Sequence, residues 1–113
     1  ADIVPADFAE AAVAAPATLK LALERALVIS DPSGERVYTR LQVKDGIMTM
    51  ITKSGRGEVR DRFKIDGHPD IEVSADPQWI KVGVAGGFDK ILVTGGAVIM
   101  GRGAELYLVA TSN

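Results

Sequence analysis

Alternating apolar and polar residues predict the strands in the middle of the chain. In residues 37–43, every second residue is suited to a core, and the residues between them are Tyr, Arg and Gln. This is the pattern of a half-buried strand, and its inner side consists of Val37, Thr39, Leu41 and Val43. Asp45-Gly46 follows, and an Asp-Gly pair between two strand-like runs predicts a hairpin. Residues 58–65 predict a further strand, although Asp61 falls on its apolar side.

Two stretches predict helices. After Pro16, Thr18 can cap a helix whose apolar face is formed by Leu19, Leu23, Ala26 and Leu27. Later, Asp76 suits an N-cap and Pro77 suits the first helical position, so a short helix is predicted that continues through "QWIKVGVAGG" and is closed by Gly86-Gly87. Three more strands are predicted at 88–94, 97–100 and 104–110, with glycines between them.

Trp79 is the only tryptophan in the chain and lies near the start of the second predicted helix. Residues three or four apart share a helix face, so the spacing predicts that Trp79 and Val82 pack against the sheet. Lys81 then points away from the sheet. The sequence thus favours Trp79 as a core residue over Trp79 as a binding platform.

The order of elements predicts an α+β fold, with two helices packed on a mostly antiparallel sheet. It runs strand, helix, strands, and then strand, helix, strands again, so the two halves look like one unit used twice. The chain of 113 residues is predicted to form a single domain, residues 1–113. Residues 1–18 are predicted to be an N-terminal arm, or a first strand and a helix that Pro16 breaks.

Composition excludes several classes of protein. There is no cysteine, so disulfides, zinc–thiolate sites and cysteine nucleophiles are absent. The formal net charge of −2 excludes a chain that is basic overall, although residues 1–64 hold ten Lys/Arg against nine Asp/Glu and the remainder holds three against six. No segment reaches the ~18 apolar residues of a membrane span. We therefore expect a cytoplasmic protein with no membrane association.

Candidate chemistry is sparse. His68, the only histidine, lies between Asp66 and Asp70, which suggests a metal or acid–base site. The alternative, a solvated loop histidine beside a proline, is favoured. The densest basic cluster comprises Lys53, Arg56, Arg60, Arg62 and Lys64. It could bind phosphates, but no aromatic residue lies between these cations to stack bases, so a solvated outer strand face is favoured.

Four stretches together resemble one domain of the bacterial DNA polymerase III beta-type sliding clamp. "ALERALVIS" is similar to the family's first helix, and "RVYTRLQVKDGIMTMITKSGRGEVRDRFKI" is similar to its hairpin and charged strand. "DIEVSADPQWIKVGV" resembles the strand that enters the second helix, and "FDKILVTGGAVIMGRGAELYLVAT" resembles the closing meander. The resemblance covers about Leu21 to Ala110. A bacterial clamp chain strings three such domains together, whereas this chain has the length of one.

The resemblance implies a protein without catalytic activity or cofactor. Six domains would form a ring whose helices line a hole for double-stranded DNA, so a one-domain chain would assemble from six copies, or be a fragment or a diverged module. Lys20, Arg25 and Lys81 on the helices would contact phosphates. Self-association into a ring or dimer, double-stranded DNA and a polymerase or other protein are the implied partners.

Two other functions stay open at this point. The chain could be an oligomerising structural or protein-interaction module, of a phage or mobile-element type, that does not bind DNA. It could also be a small enzyme that uses His68 with Asp66 or Asp70, which is the least favoured of the three.

Overall fold

In the part of the chain that the structure describes, eight antiparallel strands form one curled sheet, and two helices pack side by side on its inner face. The structure is a computed structural model that describes residues 8–29, 37–55 and 57–112. The helices are α1 (Phe8–Ala11), α2 (Ala17–Val28) and α3 (Pro77–Ala85). The strands are β1 (Val13–Ala14), β2 (Thr39–Lys44), β3 (Ile47–Ser54), β4 (Gly57–Lys64), β5 (Ile71–Ala75), β6 (Lys90–Val93), β7 (Ala97–Arg102) and β8 (Glu105–Ser112). The predicted α+β class is confirmed.

The two halves of the sheet exchange a strand. The order across the sheet is β1-β6-β7-β8-β5-β2-β3-β4. β1, which precedes α2, therefore pairs with the second half, and β5, which precedes α3, pairs with the first. The halves meet where β5 pairs with β8, at Ser74 with Ser112 and at Ala75 with Thr111. The predicted twofold use of one unit is visible in this arrangement.

The predicted Asp-Gly hairpin joins β2 to β3. Asp45 and Gly46 both have positive φ, at 52° and 74°, which is the backbone of a type I′ turn and matches the right-handed twist of paired strands. The turn sets the register that places Leu41 opposite Met50 and Val43 opposite Met48. All four of these side chains are buried, so the alternation correctly predicted the inner face of β2.

The core lies between the inner face of the sheet and the two helices. α2 contributes Leu19, Ala22 and Leu23, and α3 contributes Ile80. Strand residues complete the core, among them Leu41, Val43, Met48, Met50, Val73, Ile91, Val93, Val98, Met100 and Val109. Because one continuous cluster joins both halves, neither half can be removed without exposing the apolar face of the other.

The start of α2 differs from the prediction. Pro16 occupies the N-cap position with extended φ and ψ, and no side chain caps the helix. Thr18 lies inside the helix and is exposed. Residues 8–16 form α1, β1 and a short connection, which agrees with the predicted strand and interrupted helix. Residues 1–7 of the predicted arm lie outside the described residues.

Trp79 is not the core residue that its spacing predicted. The α3 cap is confirmed, because the Asp76 side chain accepts a hydrogen bond from the Gln78 N–H at 2.9 Å. However, α3 buries Pro77, Ile80 and Gly83, whereas the Trp79 side chain is 48% exposed and Val82 is 49% exposed. The buried face is thus rotated by about 100° from the predicted one.

Gly83 explains this rotation. A Cβ placed at Gly83 would lie 2.7 Å from Met100 Sδ and 2.7 Å from Tyr107 Cδ2, so the helix backbone rests directly on β7 and β8. Tyr107 cannot easily move aside, because its hydroxyl donates a hydrogen bond to the Trp79 carbonyl at 2.8 Å. Only a glycine fits at the point of contact, and that contact turns Trp79 outward.

We predict that Gly83→Ala destabilises the protein. In an ordinary helix this change stabilises by about 1 kcal/mol, but inserting a carbon into a packed contact costs about 1–3 kcal/mol. We expect a net loss of about 1 kcal/mol in the free energy of unfolding, measured by urea denaturation. Gly95→Ala is the control, because no atom lies within 4 Å of its new Cβ. A Gly83→Ala variant as stable as wild type would contradict the close contact.

Candidate functional site

The outer surface of the helix pair carries two of the three predicted DNA-contact residues in an unpaired state. α2 and α3 contact each other along the inner face of the sheet, so their solvent-facing sides form one surface. Lys20 is exposed and Lys81 is half-buried. Neither side chain makes an ion pair or hydrogen bond with any residue that the structure describes. Both ammonium groups are therefore available to an external anion.

Arg25, the third predicted residue, is engaged with Asp61. Arg25 Nε lies 3.0 Å from Asp61 Oδ1 and 3.2 Å from Oδ2, and Arg25 Nη2 lies 2.5 Å from Oδ1. These hydrogen bonds, and the negative charge of Asp61, raise the pKa of Arg25. Asp61 is the residue that interrupts the alternation of apolar and polar residues in β4. Its carboxylate on the inner face of the strand forms an ion pair with Arg25 of α2.

Apolar side chains share the helix surface with these cations. Leu21 and Val28 on α2 are 52% and 74% exposed, and Trp79 and Val82 on α3 are about half exposed. Large exposed apolar groups that gather on one surface commonly mark an interaction site. The surface is thus a mixture of few free cations and several apolar side chains.

His68 is neither a solvated loop residue nor part of a group with the aspartates. Its side chain is 4% exposed. Nδ1 lies 2.8 Å from the Pro69 carbonyl oxygen, and Nε2 accepts a hydrogen bond from the Val93 N–H at 2.8 Å. Asp70 instead accepts a hydrogen bond from the Asp45 N–H. The favoured prediction of a solvated loop histidine is therefore right about the loop and wrong about the solvent. Both ring nitrogens are occupied by backbone groups.

The two bonds of His68 fix its protonation state. A carbonyl oxygen can only accept, so Nδ1 carries the hydrogen, and Nε2 must be unprotonated to accept from Val93. Burial lowers the pKa of His68 further, because it penalises the charged ring. His68 is thus a neutral structural residue that satisfies the Val93 N–H on the edge of β6, beyond the first residue of β1.

The basic cluster lies on the face of the sheet that is opposite to the helices. Lys53, Arg60, Arg62 and Lys64 are exposed, and Arg56 lies outside the described residues. Glu58 forms ion pairs with Lys53 at 3.5 Å and with Arg60 at 3.4 Å. The prediction of an exposed outer strand face is confirmed for the four described residues.

Two of the concave regions in the described part of the chain lie on the outer face of the sheet and beside the start of α3. One is a groove of about 420 Å³ on the outer face of β2, β3 and β4. The other is a cleft of about 350 Å³ that Tyr38 and Trp79 line where β5 meets β8. No group of three or more His, Asp or Glu residues within the described ranges could hold a metal ion. None of the described helices is long and apolar enough to cross a membrane.

A solved structure shares this architecture. It is that of a candidate DNA polymerase III beta subunit from Eubacterium rectale, which superposes with a TM-score of 0.70. The fold is sliding-clamp-like. The two sequences are 16% identical, and the match covers 85% of this chain and 28% of that chain. This chain thus spans less than a third of the Eubacterium protein. No protein-family model and no curated protein matches the sequence.

We predict that acid destabilises the protein partly through His68. In the unfolded chain a histidine binds a proton near pH 6.5, whereas the folded chain resists protonation of His68. The unfolded state therefore binds more protons below about pH 6.5, and the free energy of unfolding falls as the pH drops towards the folded-state pKa.

The control for this prediction is His68→Gln. Its side-chain oxygen can accept from the Val93 N–H but does not titrate. We expect the stability advantage of wild type over this variant, measured by urea denaturation, to shrink between pH 7.5 and pH 5. The carboxylates titrate in both proteins and cancel in the comparison. An advantage that is constant or grows on acidification would contradict the assigned protonation state.

Proposed function

We propose that the chain is a non-enzymatic sliding-clamp-like module that assembles into a ring and holds double-stranded DNA against its helices. The observation that carries this proposal is the pair of adjacent helices on one face of a sliding-clamp-like sheet. Ring topology would retain the DNA, so individual phosphate contacts need only be weak and independent of sequence.

Lys20 and Lys81 support the proposal as phosphate contacts, because both are unpaired on the helix surface. Arg25 would join them only if it exchanged Asp61 for a phosphate. Repeated around a ring of copies, two free cations per chain would give a positive lining although the whole chain carries a net charge of −2. This arrangement favours sliding over tight binding.

Two open strand edges support assembly. Among the described strands, β4 is at the end of the sheet and pairs with β3 alone. Within the described ranges, residues 105–110 of β8 pair with β7 alone, because β5 pairs with β8 at two positions, Ser112 and Thr111. A ring needs two different surfaces that join head to tail, and antiparallel addition of β4 to the β8 edge of the next copy would supply them.

We predict that the salt dependence of DNA binding reports these contacts. Each phosphate contact contributes about −0.9 to the slope of log K against log salt. Lys20→Gln and Lys81→Gln should each make the slope of a contacting chain shallower by about 0.9. Asp61→Asn should make it steeper by a similar amount, because it frees Arg25. The measurement is fluorescence anisotropy with a labelled duplex over a series of KCl concentrations.

The matched control is Lys90→Gln, which removes an exposed lysine from β6, away from the helix surface. Its slope should equal that of wild type. Absence of duplex binding at low salt would contradict the proposal, as would an equal loss of slope in Lys90→Gln.

A second candidate function is an oligomerising or protein-interaction module that does not bind DNA. The observation that favours it is the exposure of Leu21, Val28, Trp79 and Val82 on the same helices. Water-exposed apolar side chains at this density stabilise protein contacts by burial, whereas they add nothing to phosphate binding. In this function the helices would face another protein.

Solution mass separates the two functions. We predict that wild type forms a ring of six copies by light scattering, and that Leu21→Ser with Val82→Ser leaves the mass unchanged, because strand edges hold the ring. A mass that falls to that of a monomer in this double variant would instead favour the interaction module. A wild-type monomer at high concentration would contradict self-assembly in both.

A further inference from the structure

The outer face of β2, β3 and β4 carries an aliphatic row between two rows of cations. Ile47, Thr49 and Ile51 form the central row on β3 and are half-buried. Across the strands, Ile47 lies between Lys44 and Lys64, Thr49 between Gln42 and Arg62, and Ile51 between Arg40 and Arg60. Five of the six flanking positions are therefore cationic.

The cations at one end of this row are free. Arg40 forms an ion pair with Glu72 at 3.3 Å, and Arg60 forms one with Glu58 at 3.4 Å. Lys44, Arg62 and Lys64 are exposed and form no ion pair or hydrogen bond with any described residue. Positive charge thus predominates around Ile47 and Thr49, where these three cations and the carboxylate of Asp45 lie close together.

The width of the groove, measured between its two rows of cations, matches the diameter of a helix. It encloses about 420 Å³. Strands lie about 4.8 Å apart, so the two cation rows are about 10 Å apart, which is close to the diameter of an α-helix with its side chains. Side chains on one face of a strand repeat every ~6.7 Å, close to the ~6 Å between residues i and i+4 of a helix.

We propose that this groove binds an acidic amphipathic helix of a partner protein. Its apolar ridge packs on Ile47, Thr49 and Ile51, and its flanking carboxylates pair with Arg62 and Lys64 on one side and Lys44 on the other. Asp45 also lines the groove beside Lys44, so the stronger carboxylate contacts lie on the β4 side. This mode of recognition is an apolar helix face in a groove with charge at its rim.

The aliphatic row distinguishes this partner from nucleic acid. Single-stranded nucleic acid binds to grooves in which aromatic side chains stack on the bases, and the centre of this groove holds two isoleucines and a threonine. Apolar side chains contribute to binding only when the partner supplies apolar surface of its own. The groove also lies on the opposite face of the sheet from Lys20 and Lys81, so it can be occupied while the helix surface contacts DNA.

The test uses a synthetic helix of about 16 residues, about 24 Å long, with leucines at i, i+3 and i+7 spacing and glutamates on both flanks. Binding of the labelled peptide to the full chain is measured by fluorescence anisotropy at low salt, where exposed charge pairs are least screened. We expect saturable binding that Arg62→Glu with Lys64→Glu weakens at least tenfold. Both side chains are exposed, and circular dichroism confirms that this variant is folded; Arg62→Gln with Lys64→Gln replaces it otherwise.

The matched control is Lys20→Glu with Lys81→Glu, which changes the net charge equally on the other face and should leave peptide affinity unchanged. Two further probes decide the partner class: a glutamate-rich peptide without leucines, and a single-stranded oligonucleotide. Equal affinity for the peptide without leucines, tighter binding of the oligonucleotide, equal loss in the control variant, or no binding of the amphipathic peptide at millimolar concentration would each overturn the proposal.

Discussion

The exchange of β1 and β5 between the two halves is the constraint on which the rest of the structure depends. β5 completes the first meander and also carries the chain into α3, so the position of α3 is fixed by a strand that belongs to the opposite half. β1 does the same for α2. Each helix is therefore anchored through its preceding strand in one half and packed on the strands of the other half. The exchange adds pairings between residues that are far apart in the sequence, such as Val13 with Ile91, and contacts of this kind slow folding.

Gly83 determines which side chains of α3 are exposed to solvent. The missing side chain lets α3 lie against Met100 and Tyr107, and the resulting rotation of the helix presents Trp79 and Val82 outward. The exposure of Trp79 and Val82 is thus a consequence of one backbone contact in the core.

Sequence patterns correctly predicted the features that depend on neighbouring residues. They failed for features that depend on contacts with residues far away in the sequence. The Asp45-Gly46 turn, the inner face of β2 and the Asp76 cap are local, and all three were predictable from alternation and capping rules. The burial of His68 depends on an edge N–H of Val93, 25 positions away. The pairing of Arg25 depends on β4. Two features of the sequence pointed to these contacts. Asp61 on an apolar strand face indicated a buried partner for its charge, and a glycine within a short helix indicated close packing of the helix backbone.

Asp61 has a consequence for the solubility of the protein. Among the strands that the structure describes, β4 forms a long open edge of the sheet, and such an edge is a template on which unrelated chains can aggregate. A charge that points inward from an edge strand discourages this, because an added strand must place its own side chains beside it. While α2 is docked, Arg25 shields the carboxylate. In a partly folded chain from which α2 is detached, the Asp61 carboxylate has lost Arg25 and carries an unpaired charge on the apolar face of β4. The edge is therefore protected most strongly against aggregation in the partly folded state.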